Sequence, residues 1–529
     1  MRLPRHVANW FRGRRLGGEW LGRGRLGPRP WPLGTWLIAP GLLLAAQAAA
    51  DTRALSLSDA VSLAVRQNPA LAAAGATLAA ADAGVLAARG LDDPVLGASA
   101  TFERTRRDRV PGTPVQQRAV DELRGGASLT QPLPIGGRVG LQLEGGHGRT
   151  EFGTESATGP LERSTSDQYT PSVRVALEQP LLRGFGVDVA RADRRRARAG
   201  RDLAGAEREG LALALVRDVV GAYWALAHAR QELEIRKLSV TAAREQLDRV
   251  RANIAVGKLP PSATAEVEVA IALREDAVLL AEQASIEAEV RLGRLCGIAA
   301  SRRLDAAENL PALDWLAAEP PALQASVALA LSRSPQLEAV RARKLAATVE
   351  LLVTDNGLLP QLDVSLAGGP VANAPTLRAA YDQLSGLGSY ALMASLALEL
   401  PLGRHAARGA HDAARAELRR AELGEADIVA QIGAAVTESV TRLATARRRA
   451  HSLGPSLRAA ALDLEAEQAR FEVGRGSNFD VLRRQDALAV MQLLALSAQL
   501  GWQEADASLS ALTGEILARH GIAVSAGLD

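Results

Sequence analysis

The strongest constraint on this chain is a unit that it carries twice. "IAVGKLPPSATA" (254–265) and "FEVGRGSNFDVL" (471–482) each interrupt a long Ala- and Leu-rich helical pattern with glycine and a short polar run. An offset of 217 residues lays Gly257 on Gly474 and, without a gap, Gly297 on Gly514. A second offset, 266, lays "AVRQNPALAAA" (64–74) on "ALSRSPQLEAV" (330–340) with Pro69 over Pro335, and then Pro94 over Pro360. Offsets held over such distances mark a tandem duplication, so the fold must be two copies of one helical unit.

Heptads and lengths describe that unit. Val219, Leu226, Leu233, Val240, Leu247 and Ile254 recur every seven residues, and Val436, Leu443, Ala450, Leu457, Leu464 and Phe471 repeat the file at the same offset. A stripe sustained this long predicts coiled-coil packing, although a long amphipathic helix in an ordinary bundle would also show it. Arg230, Lys237, Arg244 and Arg251 run beside the stripe as a solvated flank. The helix before Gly257 reaches from about Ala190 to Val256, ~100 Å at 1.5 Å per residue. Segments 57–89, 262–296 and 323–356 are about half as long. Each half is then a short helix, an excursion, a long helix returning and a short helix back.

The excursions alternate with a period near two. "PVLGASATFE" (94–103) and "YTPSVRVALEQPLL" (169–182) bound the first; "PQLDVSLAGG" (360–369) and "SYALMASLALELPL" (389–402) bound the second. Ten tilted residues suffice to cross a hydrocarbon layer as a strand. "GASLTQPLPIGGRVGLQLEGG" (126–146) leaves room for a further hairpin in the first excursion. Only 17 aromatics occur, yet Phe102, Phe152, Tyr169, Tyr381 and Tyr390 lie in or beside these excursions, where interfacial girdles would need them. About four strands cannot close a barrel alone, which requires oligomerisation.

Composition is informative at the N-terminus. Eight arginines in residues 1–50 face Glu19 alone; without that segment the formal charge of +3 becomes −4, and no nucleic-acid partner is indicated. The basic stretch, the apolar "LGTWLIAPGLLLAA" and Ala48-Ala49-Ala50 read as a signal peptide over 1–50, with an uncleaved anchor as the other reading. After residue 50 no apolar run of about 18 residues is evident, which leaves strands in a closed barrel as the means of crossing a membrane. The single cysteine, Cys296, permits no intrachain disulfide. Neither metal spacing, a phosphate loop nor G-x-S-x-G is found, so neither enzyme nor cofactor is expected. Organisation follows: 51–297 first repeat, 298–322 linker, 323–529 second repeat.

The whole pattern resembles the TolC-like outer-membrane efflux family. The carriers are "LSLSDAVSLAVRQNPAL" (55–71), "QPLLRGFG" (179–186), "VVGAYWALAHARQEL" (219–233) and "FEVGRGSNFDVL", in order and at family spacing. The resemblance implies a mainly α protein with a transmembrane β part. In it a homotrimer closes a 12-stranded barrel, four strands per chain, in the outer membrane of a Gram-negative bacterium. A helical tunnel stands in the periplasm, conducting cargo from an inner-membrane pump through a periplasmic adaptor. Gly257, Lys258, Gly474 and Gly476 then mark hairpin tips for adaptor docking, and Asp480, Arg475 and Arg483 the aperture. Asp480 matches the family's aperture aspartate; three converging carboxylates would narrow the mouth and favour cations. As an alternative, Asp480 is a helix N-terminal charge. Arg483 replaces a second family acid, and Ala263 stands where the first hairpin would match Asp480, which leaves Arg475 or Arg483 to pair with Glu266 or Glu268. The rival to a channel is an exported coiled-coil scaffold without a pore.

Overall fold

The computed structural model describes residues 53–107, 115–154, 162–298, 304–312 and 319–522. The expected signal peptide lies outside them. Each half opens on a helix broken in two: α1 (Leu57–Gln67) and α2 (Pro69–Arg89), then α6 (Leu323–Arg333) and α7 (Pro335–Asn356). The break follows from local chemistry. Proline at the first position of α2 and α7 has no N–H for the preceding turn, and Asn68 and Ser334 accept the free backbone N–H of Leu71 and Leu337.

The long helices are α4 (Ala192–Ala255) and α9 (His405–Glu472); the short returning ones are α5 (Ala263–Leu295) and α10 (Asn478–Leu512). All twelve heptad positions are buried or half-buried. The basic file is paired along its length, Arg230 with Asp305 at 2.6 Å, Lys237 with Glu234 at 3.6 Å, Arg244 with Glu275 at 2.6 Å and Arg251 with Glu268 at 3.8 Å. Half-length helices share the flank of a long one. Early in α4, Arg201 pairs with Asp82 of α2 and Glu207 with Arg343 of α7; later, Arg244 reaches α5 and Gln246 reaches α10. On α9, Glu425 accepts from Lys344 and Arg341, which hold its carboxyl below the ordinary glutamate value.

The largest core surrounds Tyr223, which donates to Leu55 O at 3.1 Å and accepts from Glu308 N at 3.2 Å. Leu55 ends β1 (Arg53–Leu55), which pairs in parallel with β7 (Leu304–Ala306). The segment expected as a linker therefore contributes a strand and fastens the start of the first repeat to the middle of α4. Cys296 is buried there, and burial pushes its thiol up to about 11. Among the described residues two helical stretches are long and apolar enough to cross a membrane, against the expectation of none: 192–255, largely core, and 69–92, an alanine-rich helix in which Leu71 alone is buried.

The excursions form one antiparallel sheet of seven strands among the described residues, in the order β2 (Val95–Arg106), β3 (Val115–Pro132), β4 (Arg138–Thr154), β6 (Ser172–Pro180), β8 (Gln361–Pro370), β9 (Tyr390–Glu399). The seventh, β5 (Glu162–Tyr169), pairs with the far end of β4 where β6 leaves off, so β5 and β6 form one interrupted ribbon broken at Thr170–Pro171. The expectation of about four strands is corrected here: five come from the first excursion and two from the second. The room noted between 126 and 146 is filled by the β3–β4 hairpin.

Candidate aperture at the hairpin tips

The two tips are the same structure built twice. Gly257 and Gly474 adopt φ of +78° and +74°, a left-handed conformation that glycine reaches without Cβ strain. Past each, the next residue's N–H closes on the helix: Lys258 N donates to Asn253 O at 2.9 Å and Arg475 N to Arg470 O at 2.8 Å. These bonds satisfy carbonyls that the helix end leaves open. Val256 and Val473, related by the same 217 residues, are both about 70% exposed just before the turn. Gly297 and Gly514 repeat the device, at +69° and +71°, where the short helices end.

Beneath the tips one apolar cluster joins the hairpins. Leu247 and Val250 of α4, Val267 of α5, Phe471 of α9 and Val481 and Leu482 of α10 are buried together. Asp480, half-buried, directly precedes Val481 of this cluster. Ser477 caps α10, accepting from Asp480 N at 3.1 Å and donating to the Asp480 carboxylate at 2.6 Å. The helix-end role weighed for Asp480 is thus present in the geometry, on a residue that is half-buried. Lys258, Arg475 and Arg483 are exposed. Among the described residues no ion pair joins Arg475 or Arg483 to Glu266 or Glu268, and Glu268 instead faces Arg251 across its own hairpin at 3.8 Å.

The link between hairpins is made by residues that the sequence reading passed over. Arg274 of α5 is buried, donating to Gln485 Oε1 at 2.9 Å, to Asp486 Oδ1 at 2.7 Å and to Ser239 O at 3.0 Å. Gln246 of α4 donates to Asn478 of α10 at 3.0 Å, both buried. A signal was available: Val267, Arg274 and Ala281 are spaced by seven, so an arginine occupies the apolar file of α5. A buried guanidinium requires such partners, and two of the three, Gln485 and Asp486, lie on the other hairpin. Among the described residues no group of His, Cys, Asp and Glu is arranged to hold a metal ion.

This geometry can be set against known proteins. The pattern of the outer membrane efflux protein family matches residues 139–298 and 327–515, most of both repeats. The chain belongs to the outer membrane efflux protein family. Among solved structures, the CmeC outer membrane channel of Campylobacter jejuni is similar at 14% identity and a TM-score of 0.61, over 89% of this chain and 87% of that one. VceC of Vibrio cholerae matches at 17% and 0.60, over 87% and 96%. The open-state MtrE channel of Neisseria gonorrhoeae matches at 18% and 0.58, over 87% and 89%. No curated protein sequence matches. In this outer membrane efflux protein the sheet is the outer-membrane part and the paired helices are the periplasmic part.

Proposed function

We propose that three copies of this chain close a barrel across the outer membrane, continued into a helical tunnel, and that cargo handed over by a periplasmic adaptor and an inner-membrane pump leaves through it. One observation carries the reading: a single chain pairs two glycine-turned helical hairpins at one end with a sheet of membrane length whose two edges are open at the other. An open edge in lipid would leave a row of unsatisfied N–H and C=O groups, so closure by further copies is required. A scaffold without a pore has no use for such a sheet. The tips offer an adaptor exposed Val256, Val473, Lys258 and Arg475 around Gly257, Gly474 and Gly476, and Asp480 borders the mouth.

Conductance in planar bilayers tests this reading. The unaltered protein should give a small cation-selective conductance that rises several-fold and loses selectivity in Asp480→Ala. Well-inserted protein that never conducts, in either form, would count against a channel.

A further inference from the structure

The β3–β4 hairpin carries the same two-faced pattern as the strands on either side of it. Read across the sheet, one row runs Leu96, Leu129, Leu141, Val175, Gly368, Leu392. Another on the same face runs Val139, Leu177, Leu366, Ala394. The opposite face reads Gly97, Ser128, Gln142, Arg174 in one row and Arg138, Glu178, Ser365, Ser395 in another. The polar face is the hollow one: Ser99, Ser128, Gln142 and Glu144 line a concavity of about 280 Å³ on it.

The apolar face also has an upper limit, and the hairpin shares it. Arg104, Asp121, Arg149 and Asp167 stand in one row of alternating charge across β2, β3, β4 and β5. Two residues nearer the helices, on the same face, lie Phe102, Leu123, His147 and Tyr169, with His147 stacked on Tyr169 at 4.5 Å. From His147 down to Val139 the apolar side of β4 spans about 27 Å of strand, or roughly 20 Å along a barrel axis at a tilt near 40°. That is close to the height of the apolar band such barrels present to lipid.

We propose that β3 and β4 cross the outer membrane, so that each copy supplies six crossing strands (β5 and β6 counting as one) and a trimer closes a barrel of eighteen. The trimer rests on the function proposed above; the six strands rest on the row pattern. An inserted hairpin keeps the count even, so β9 of one copy still meets β2 of the next in antiparallel sense. Backbone radius grows nearly in proportion to strand number, from roughly 12 Å for the twelve strands that the family resemblance implied to roughly 18 Å for eighteen. The membrane end becomes a wide vestibule, and selection is left to the tips.

Site-directed spin labelling of the full chain, reconstituted in phosphatidylethanolamine–phosphatidylglycerol vesicles, tests the proposal. Native Cys296 stays unlabelled because it is buried and its thiol is largely protonated. Labels at Leu141→Cys and Leu143→Cys should collide several-fold more with oxygen than with a water-soluble nickel chelate, and labels at Ser128→Cys and Gln142→Cys the reverse. Ala127→Cys, opposite Leu143, replaces either apolar site if its label blocks assembly. Leu396→Cys and Ser395→Cys on β9 are the controls. Alternation on β9 with uniform water exposure on the hairpin overturns six crossings; no alternation on β9 overturns the outer-membrane reading itself. Mass photometry should count three copies, and any other number overturns the barrel of eighteen.

Discussion

Gly476 leaves no room for a side chain. A Cβ there would lie 2.7 Å from Glu467 Oε1 and 3.0 Å from Phe471 N, and the second neighbour is helix backbone that cannot turn aside. Gly474, two residues earlier, has nothing within 4 Å but a left-handed backbone. The two glycines should therefore fail differently. Gly474→Ala should cost about 1–2 kcal/mol for the strained backbone, and Gly474→Asn much less, since asparagine tolerates that region. Gly476→Ala should cost about 1–3 kcal/mol through overpacking, and Gly476→Asn at least as much. Thermal melts followed by circular dichroism in detergent would separate them; equal rescue by asparagine at both sites would refute the distinction. The sequence pointed to Gly257 and Gly474 because a turn glycine is visible as a break in a period. Gly476 was legible only as a neighbour, because its requirement is set by Phe471 and Glu467 on the helix it folds against.

Between elements, the same contrast of local and cross-chain information recurs. The heptad file fixes which face of α4 and α9 is buried, and lengths counted from Gly257 and Gly474 fix where the helices end. Which hairpin touches which is written in Arg274, Gln485, Asp486, Gln246 and Asn478, whose spacing along the chain says nothing of their contact. The strand number was equally hidden, because glycines at 125–126, 140 and 145–146 dilute the alternation of β3 and β4 until pairing restores the register. Arg274→Ala removes hydrogen bonds to a buried cation, each worth about 1.5–3 kcal/mol at most, with the Asp486 contact discounted because that carboxylate is largely exposed. The hairpins should then part more often. Limited trypsin digestion of the native protein should cut at exposed Lys258 and Arg475 several-fold faster in Arg274→Ala, with Arg274→Lys intermediate. An unchanged rate would mean that the apolar cluster of Val250, Val267, Phe471 and Val481 holds the tips without the arginine.

At the scale of the molecule, the chain must satisfy two solvents at once, and one strand shows how. Along β9, Leu392, Leu396 and Leu398 share a face with the apolar rows, while Ser395 and Ala397 face the polar side with Ser365 and Asp363. Both sets are exposed in a single copy, so burial does not tell the lipid face from the lumen face; the chemistry of the rows does. An arginine on the lipid side near mid-depth costs about 2–4 kcal/mol, whereas the water-filled side accepts one at little cost. Leu396→Arg should accordingly reduce the amount of heat-modifiable, membrane-inserted protein. Ser395→Arg, one residue away, should insert normally and move the ion preference of the conductance toward anions, because its charge joins the lumen. The pair is matched for residue introduced and for position in the strand, so only the face differs. Equal loss of assembly in both variants would mean that the faces are wrongly assigned, and with them the register that places β3 and β4 in the membrane.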